Sequence, residues 1–169
     1  MKFHLVDRIE SIEPGKRIVT LKALSLAEEY LADHFPAFPV LPGVMMIEAM
    51  VQSAAWLVRV AQDFSRSVIV LSAARNVRYS SFVQPGRMLR CDVDAIEIGD
   101  AAAAFKGVGY TCDATGRSAK AVSAKIELRC GNLADRAEYL AAADAAIVAQ
   151  LRDRFRLIGG PEALAAPGG

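Results

Sequence analysis

The chain has 169 residues, of which 53% are hydrophobic and 23% charged, and its formal net charge at pH 7 is +1. This length favours one domain with a sizeable core, and the composition argues against a disordered protein. Because the charge is nearly balanced and there is no basic run, nucleic acid is not expected as a partner.

Two strands and a short helix are predicted first along the chain. Residues 3–13 and 16–24 are strand-like and meet at a Pro-Gly pair, which is a turn signal. Residues 25–31 begin with a capping serine and carry a glutamate at the fourth position. This spacing is typical of a helix N-terminus, so a short helix is expected there.

The next segment, residues 34–52, is the most distinctive part of the chain. Pro36, Pro39 and Pro42 each fix φ and restrict the residue before them, so an extended arm is expected. An apolar helix is then predicted over 44–61. Because this helix is apolar on nearly every side, it is expected to be central and buried.

Four further strands are predicted, at 67–82, 88–98, 102–113 and 118–130. These segments are rich in Val, Ile, Tyr and Phe and are separated by turn signals. Two strands, one buried helix and a meander of four strands form an α+β order. We therefore expect an antiparallel sheet wrapped around a single helix.

The C-terminal part is expected to be an addition to this α+β domain, which spans 1–131. The segment 132–157 predicts a helical extension, because apolar residues fall on one face of a helix over 133–157: Leu140, Ile147, Val148, Leu151 and Phe155. Residues 158–169 are rich in Gly, Ala and Pro and are expected to form a flexible tail.

His34 and Glu48 are the candidate acid–base pair. They stand 48 − 34 = 14 positions apart, on either side of the proline-rich arm. The helix around Glu48 is apolar on all sides, so the carboxyl group is expected to be partly buried, which favours its protonated form. The residues alone leave a structural explanation open, namely a loop histidine bonded to the backbone and a glutamate at a helix edge.

The string HFPAFPVLPGVMMIEAMVQ over 34–52 resembles the signature of the FabZ-type (3R)-hydroxyacyl-[acyl-carrier-protein] dehydratases, whose usual form is G-H-F-P-G-x-P-V-M-P-G-V-L-x-x-E-A-M-A-Q. Segments 5–9, 14–18 and 77–79 also resemble parts of that family, and the resemblance covers about residues 3–130. It implies a hotdog fold for 1–131. It also implies dehydration of 3-hydroxyacyl thioesters to trans-2-enoyl thioesters, in fatty acid or related lipid biosynthesis.

The resemblance also implies a role for each matching residue. His34 is then the general base, Glu48 the general acid, and Gly43 the residue whose N–H binds the thioester carbonyl. The carbonyl of Val44 is expected to orient the His34 ring. The implied substrate-binding residues are Gly43, Val44, Phe35 and Pro42.

In the resembled family the site is shared between two subunits, so a homodimer or a dimer-based higher oligomer is implied. The family carries a basic pair where this chain has Ser80-Ser81. Basic residues at these positions are candidates for binding an acidic carrier protein. The thioester carrier, acyl carrier protein or coenzyme A, therefore stays open.

Two other functions remain as alternatives: a hotdog acyl thioesterase and a non-catalytic acyl-binding protein. The cysteines Cys91, Cys112 and Cys130 are odd in number and lack metal-ligand spacing, so free thiols packed as small apolar groups are expected. No metal or cofactor is predicted. With no apolar run of about 18 residues and an acidic Asp7 near the start, a cytoplasmic protein without a membrane span is expected.

Overall fold

The computed structural model describes residues 3–165, and within them one six-stranded antiparallel sheet packs against a long central helix. The order of the strands across the sheet is β1-β2-β4-β5-β6-β3. The strands are β1 (Arg8–Glu13), β2 (Arg17–Ala23), β3 (Val68–Tyr79), β4 (Met88–Ile98), β5 (Ala102–Cys112) and β6 (Ser118–Gly131), and the helices are α1 (Gly43–Ala61), α2 (Ala141–Leu157) and α3 (Gly160–Ala165). The predicted α+β hotdog arrangement with an added C-terminal helix is confirmed.

The sheet buries one face against α1, as the alternation of its side chains requires. In β6 the inward positions are Val122, Ala124, Ile126, Leu128 and Cys130. The helix lies very close to β5, since a Cβ built on Gly107 would stand 2.7 Å from the sulfur of Met50. A glycine at this position therefore lets α1 sit deep in the curve of the sheet.

Helix α1 is apolar on most of its surface, and its fully buried side chains include Met50, Leu57 and Val58. By length and composition it could cross a membrane, with a mean hydropathy of 1.4. However, 61% of that apolar stretch is buried inside the fold, as in the core helix of a globular domain. It is the predicted central helix.

Near the N-terminus, the predicted turn between the first two strands is confirmed, with Gly15 at φ 75°. The predicted helix over 25–31 is only partly formed, as a single 3-10 turn at Glu29–Leu31. The Ser25 hydroxyl accepts the N–H of Ala27 at 3.0 Å, two residues on. A serine used in this way closes a local turn instead of capping a helix.

The C-terminal segment is helical, but α2 starts at Ala141, later than predicted, after two 3-10 turns. The expectation of a flexible tail is wrong for residues 158–165, while 166–169 lie outside the described residues. Ile158 accepts the N–H of Ile9 at 2.8 Å, and Ala163 in α3 is buried. Apolar contact with β1 and this hydrogen bond together order the segment.

Candidate active site

The proline-rich arm before α1 folds back on itself. The carbonyl of Phe35 accepts the N–H of Phe38 at 2.9 Å, and Val40 donates to the carbonyl of His34 at 3.1 Å. Pro36 takes the second position of the turn that starts at Phe35, which is a position that proline favours. The expectation of an extended arm is therefore wrong over 34–40, because proline fixes φ but leaves ψ free to form a turn.

His34 is held at the base of this folded arm. Its Nδ1 lies 3.3 Å from the carbonyl oxygen of Val40, and its ring stacks on Phe35 with centroids 4.2 Å apart. A carbonyl can only accept, so Nδ1 carries the proton and Nε2 of the neutral ring keeps its lone pair. The resemblance implies the Val44 carbonyl as the partner of this ring, but the Val40 carbonyl makes the contact. The peptide bond between His34 and Phe35 is cis.

The first turn of α1 presents two unpaired backbone donors. Pro42 is the N-cap, and its carbonyl accepts the N–H groups of Met45 and Met46 at 2.9 and 3.1 Å. Within residues 3–165, no acceptor pairs with the N–H of Gly43 or of Val44. Unpaired donors at the positive end of a helix dipole suit an oxygen that gains negative charge.

Gly43 is also covered by an aromatic ring. A Cβ built on it would lie 2.8 Å from Cε1 of Tyr79, whose side chain is about half exposed. Any larger residue must push this ring aside. The glycine therefore permits both the close approach of Tyr79 and access to the helix N-terminus.

Glu48 is half-buried and held by a neighbour one turn further along α1. The side-chain amide of Gln52 donates to Glu48 Oε1 at 3.0 Å. Gln52 is itself fixed by the N-terminal segment, because its amide also donates to the carbonyl of Phe3 at 3.0 Å and its oxygen accepts the N–H of Leu5 at 2.9 Å. Sequence reasoning missed Gln52, although its spacing of four from Glu48 was a usable signal.

A cavity of about 490 Å³ opens beside Glu48, between α1 and α2. His34 does not line this cavity, so the single chain does not bring the two candidate catalytic residues into one pocket. Val44 is largely exposed, Phe35 is about half exposed, and Pro42 is half-buried. The face that carries them is therefore open in the single chain.

The thiols show no sign of nucleophilic activation. Cys91 and Cys130 are buried, and burial raises the pKa of both. A cysteine nucleophile needs the opposite shift. Within the described part of the chain, no group of three or more His, Cys, Asp or Glu side chains is placed to hold a metal ion.

The amino-acid sequence of the chain matches a known protein family. The model of the FabA-like domain matches residues 1–117. A 3-hydroxyacyl-[acyl-carrier-protein] dehydratase FabZ from Clostridium kluyveri is 35% identical over 108 residues, covering 64% of this chain and 75% of the relative. The FabZ protein of Clostridium acetobutylicum is 34% identical over 122 residues (72% and 83%), and that of Geobacillus thermodenitrificans is 38% identical over 106 residues (63% and 73%).

Two solved structures resemble the fold at low sequence identity. The dehydratase heterocomplex ApeI:P from Xenorhabdus doucetiae matches with a TM-score of 0.62 and 16% identity, over 82% of this chain and 90% of that one. A thioesterase family protein from Silicibacter pomeroyi matches with a TM-score of 0.58 and 12% identity, over 75% and 85%. At these identities they show the fold alone. From the family model and the FabZ relatives together, the chain belongs to the FabA-like family and is a FabZ-type member with the hotdog fold.

Proposed function

We propose that the protein dehydrates 3-hydroxyacyl thioesters to trans-2-enoyl thioesters, as a hydro-lyase of fatty acid or related lipid biosynthesis in the cytoplasm. The observation that carries the proposal is the orientation of the two candidate groups. His34 keeps Nε2 free because Nδ1 bonds the Val40 carbonyl, and Glu48 has one oxygen bonded to Gln52 and the other available.

The reaction follows from these two groups. His34 Nε2 removes the proton from C2 of the acyl chain, next to the thioester carbonyl. The electron pair of that C–H bond forms the C2–C3 double bond as the C3–O bond breaks. Protonated Glu48 gives its proton to the departing hydroxyl, which leaves as water. A proton then passes from the imidazolium back to the carboxylate to complete the cycle.

The first turn of α1 supports the proton removal. The thioester oxygen gains negative charge as C2 loses its proton, so it needs hydrogen-bond donors. We assign this role to the unpaired N–H of Gly43, with the adjacent Val44 N–H at the same helix end. No cofactor enters this scheme.

We further propose a homodimer in which His34 of one subunit faces Glu48 of the other. The absence of His34 from the Glu48 cavity supports this arrangement. Strand β3 also pairs only with β6 among the described strands, and its edge carries exposed Val70 and Leu71. Joining two β3 edges would pair the backbone groups that this edge leaves free and extend the sheet across the dimer.

The experiment uses purified protein and a ladder of 3-hydroxyacyl thioesters on both acyl carrier protein and coenzyme A. Formation of the enoyl thioester is followed by absorbance, and a thiol reagent reports any hydrolysis. We expect enoyl product without free thiol, on at least one of the two carriers. Release of thiol without enoyl product would instead identify a thioesterase.

Two variants connect this activity to the site. His34→Ala and Glu48→Gln should each lower the rate by about 10²–10⁴-fold, the usual contribution of a general acid or base. Glu97→Gln is the matched control, because Glu97 is an exposed carboxylate on β4, and its variant should keep full activity. Activity of His34→Ala within a few-fold of the unmodified protein would exclude His34 as the base.

A further inference from the structure

The cavity beside Glu48 is a groove with one wall from each of two helices. α1 contributes one face, at a spacing of three or four residues: Glu48, Gln52, Ala55 and Arg59. α2 contributes a second face with the same spacing: Ile147, Leu151 and Arg154. We call this cavity the α1–α2 groove. Helix α2 lies outside residues 1–117, the part of the chain that the family model matches.

The groove starts at the proposed reacting centre and leads away from it. Arg59 follows Glu48 by 59 − 48 = 11 positions, which is about 16 Å along the helix axis. Both side chains lean towards the helix N-terminus, and the longer Arg59 side chain reaches further, so the two charged ends stand somewhat nearer than that. A staggered carbon chain of about nine to thirteen carbons would cover this distance. The apolar lining between the two ends includes Val51, Ala55 and Trp56.

Arg59 lies at the far end as an unpaired charge. Its Nε–H is buried and finds no hydrogen-bond partner among residues 3–165. None of the ion pairs formed within the described chain includes Arg59, and its guanidinium stands 5.2 Å from the centre of the Trp56 ring. Burial lowers the pKa of Arg59 to about 10, so it stays protonated near neutral pH.

The other charges of the groove leave this cation unbalanced. Glu48 lies at the other end of the groove, about three helix turns from Arg59, and Asp153 is paired with Arg156 at 2.6 Å. Arg154 adds a second lining cation with no ion pair in the described chain. A buried charge without a partner is costly, and a hydrogen-bond acceptor on a ligand removes that cost.

Building on the proposed dehydration, we propose that the α1–α2 groove binds the acyl tail of the substrate and that Arg59 selects tails carrying a carboxylate or similar acceptor at their far end. The apolar walls hold the methylenes, and the guanidinium binds the acceptor with charge-assisted hydrogen bonds. The substrate class is therefore a 3-hydroxyacyl thioester of medium to long chain with a polar terminus.

The kinetic test compares two substrates of equal length, one ending in a methyl group and one in a carboxylate. Arg59→Met should lower kcat/KM for the carboxylate-ended substrate by about tenfold or more, and leave the methyl-ended one within about twofold. Lys106→Met is the control and should change neither, because Lys106 is an exposed cation on β5 that lies outside the groove lining. An equal effect of Arg59→Met on both substrates would overturn the selection by Arg59.

A second pair of variants tests whether the acyl tail occupies the groove, by reducing the volume of the groove. Ile147→Trp should shorten the longest acyl chain accepted, because the indole fills the space between the helices. Ala146→Trp places the same ring on the exposed side of α2 and should leave chain-length preference unchanged. An unchanged chain-length profile for a folded Ile147→Trp would show that the tail runs elsewhere.

A binding measurement separates this proposal from the proposed function. Calorimetry with dodecanoate and dodecanol needs no turnover, and the carboxylate of dodecanoate can reach Arg59 from within the groove. Arg59→Met should weaken dodecanoate binding by about tenfold or more and leave dodecanol unaffected. If no substrate gives enoyl product, the dehydratase function fails, while this measurement still decides whether the groove and Arg59 bind an acidic chain.

Discussion

Gln52 donates its side-chain amide to Oε1 of Glu48 at 3.0 Å, across one turn of α1. The same side chain bonds the backbone of Phe3 and Leu5, so the N-terminal segment indirectly sets where the Glu48 carboxyl group points. One carboxyl oxygen is occupied as an acceptor, and the other is left to carry a proton. Gln52 is thus a positioning residue for the proposed acid.

Gln52→Ala should lower kcat by about tenfold or more, with little change in KM, because the carboxyl group loses its fixed orientation. It should also cost about 1–3 kcal/mol of stability, since the partly buried N–H of Leu5 loses its acceptor. Steady-state kinetics and urea unfolding measure the two effects separately. Gln62→Ala, at the C-terminal end of α1, should lose stability but keep kcat, because the Gln62 side-chain amide donates to the carbonyl of Gly99 and not to a candidate catalytic residue. A kcat for Gln52→Ala equal to that of Gln62→Ala would remove the positioning role.

Gly43→Ala should impair activity more than stability. The new methyl group would stand 2.8 Å from Cε1 of Tyr79 and beside the N–H that we assign to the thioester oxygen. The half-exposed Tyr79 ring can rotate away, so the fold should survive. We expect kcat/KM to fall by about tenfold or more, since substrate can no longer approach the donor closely.

The double variant Gly43→Ala with Tyr79→Ala identifies the cause. If the methyl group acts by displacing the ring, the second change should restore much of the activity lost in the first. If the methyl group acts by blocking the thioester, activity should stay low in the single variant and in the double variant. Full activity of Gly43→Ala alone would show that the substrate does not approach this backbone.

Phe155→Ala should detach α2 from α1. The Phe155 ring packs between Trp56 and Phe64, with centroid distances of 5.9 and 5.5 Å, and is almost fully buried. Removing a buried aromatic side chain typically costs about 3–5 kcal/mol. Chemical unfolding should report this loss. Tyr139→Ala removes an exposed ring just before α2 and should change stability by no more than about 0.5 kcal/mol. Equal stability of the two variants would mean that α2 contributes little to the fold.

The strands were largely predictable because their signals are local. Alternating burial and β-branched side chains fix β4 at 88–98 as predicted, and β6 ends one residue beyond its predicted limit. The central helix was predictable for a similar reason, since few soluble segments are apolar over five turns. Candidate residues His34, Gly43 and Glu48 came from the motif and not from the fold.

Contacts that compete with a local preference, or that join distant segments, could not be predicted from such signals. The turn that folds the arm depends on the Phe35–Phe38 hydrogen bond, which competes with the extended form that the prolines suggest. The order of residues 158–165 depends on their docking against β1, and the groove depends on the packing of Phe155 against Trp56. These three features depend on which parts of the chain come into contact. The periodicity of apolar residues within one segment does not contain that information.

Mixed dimers of inactive subunits should regain activity if the site is shared. A dimer of one His34→Ala subunit and one Glu48→Gln subunit has two sites, of which one carries both lesions and the other carries neither. Random assortment of equal amounts makes half of the dimers mixed, and half of their sites are intact. The activity per subunit should therefore return to about a quarter of that of the unmodified protein.

The measurement requires co-expression of the two variants with different affinity tags, because a tight dimer does not exchange when simply mixed. Sequential purification on both tags isolates mixed dimers alone, in which the expected activity rises to about half. Co-expression of Glu48→Gln with itself under both tags is the control and should stay inactive. Inactive mixed dimers of verified composition would mean that His34 and Glu48 act within one chain, and the exposed face around Phe35 and Val44 would then need another explanation.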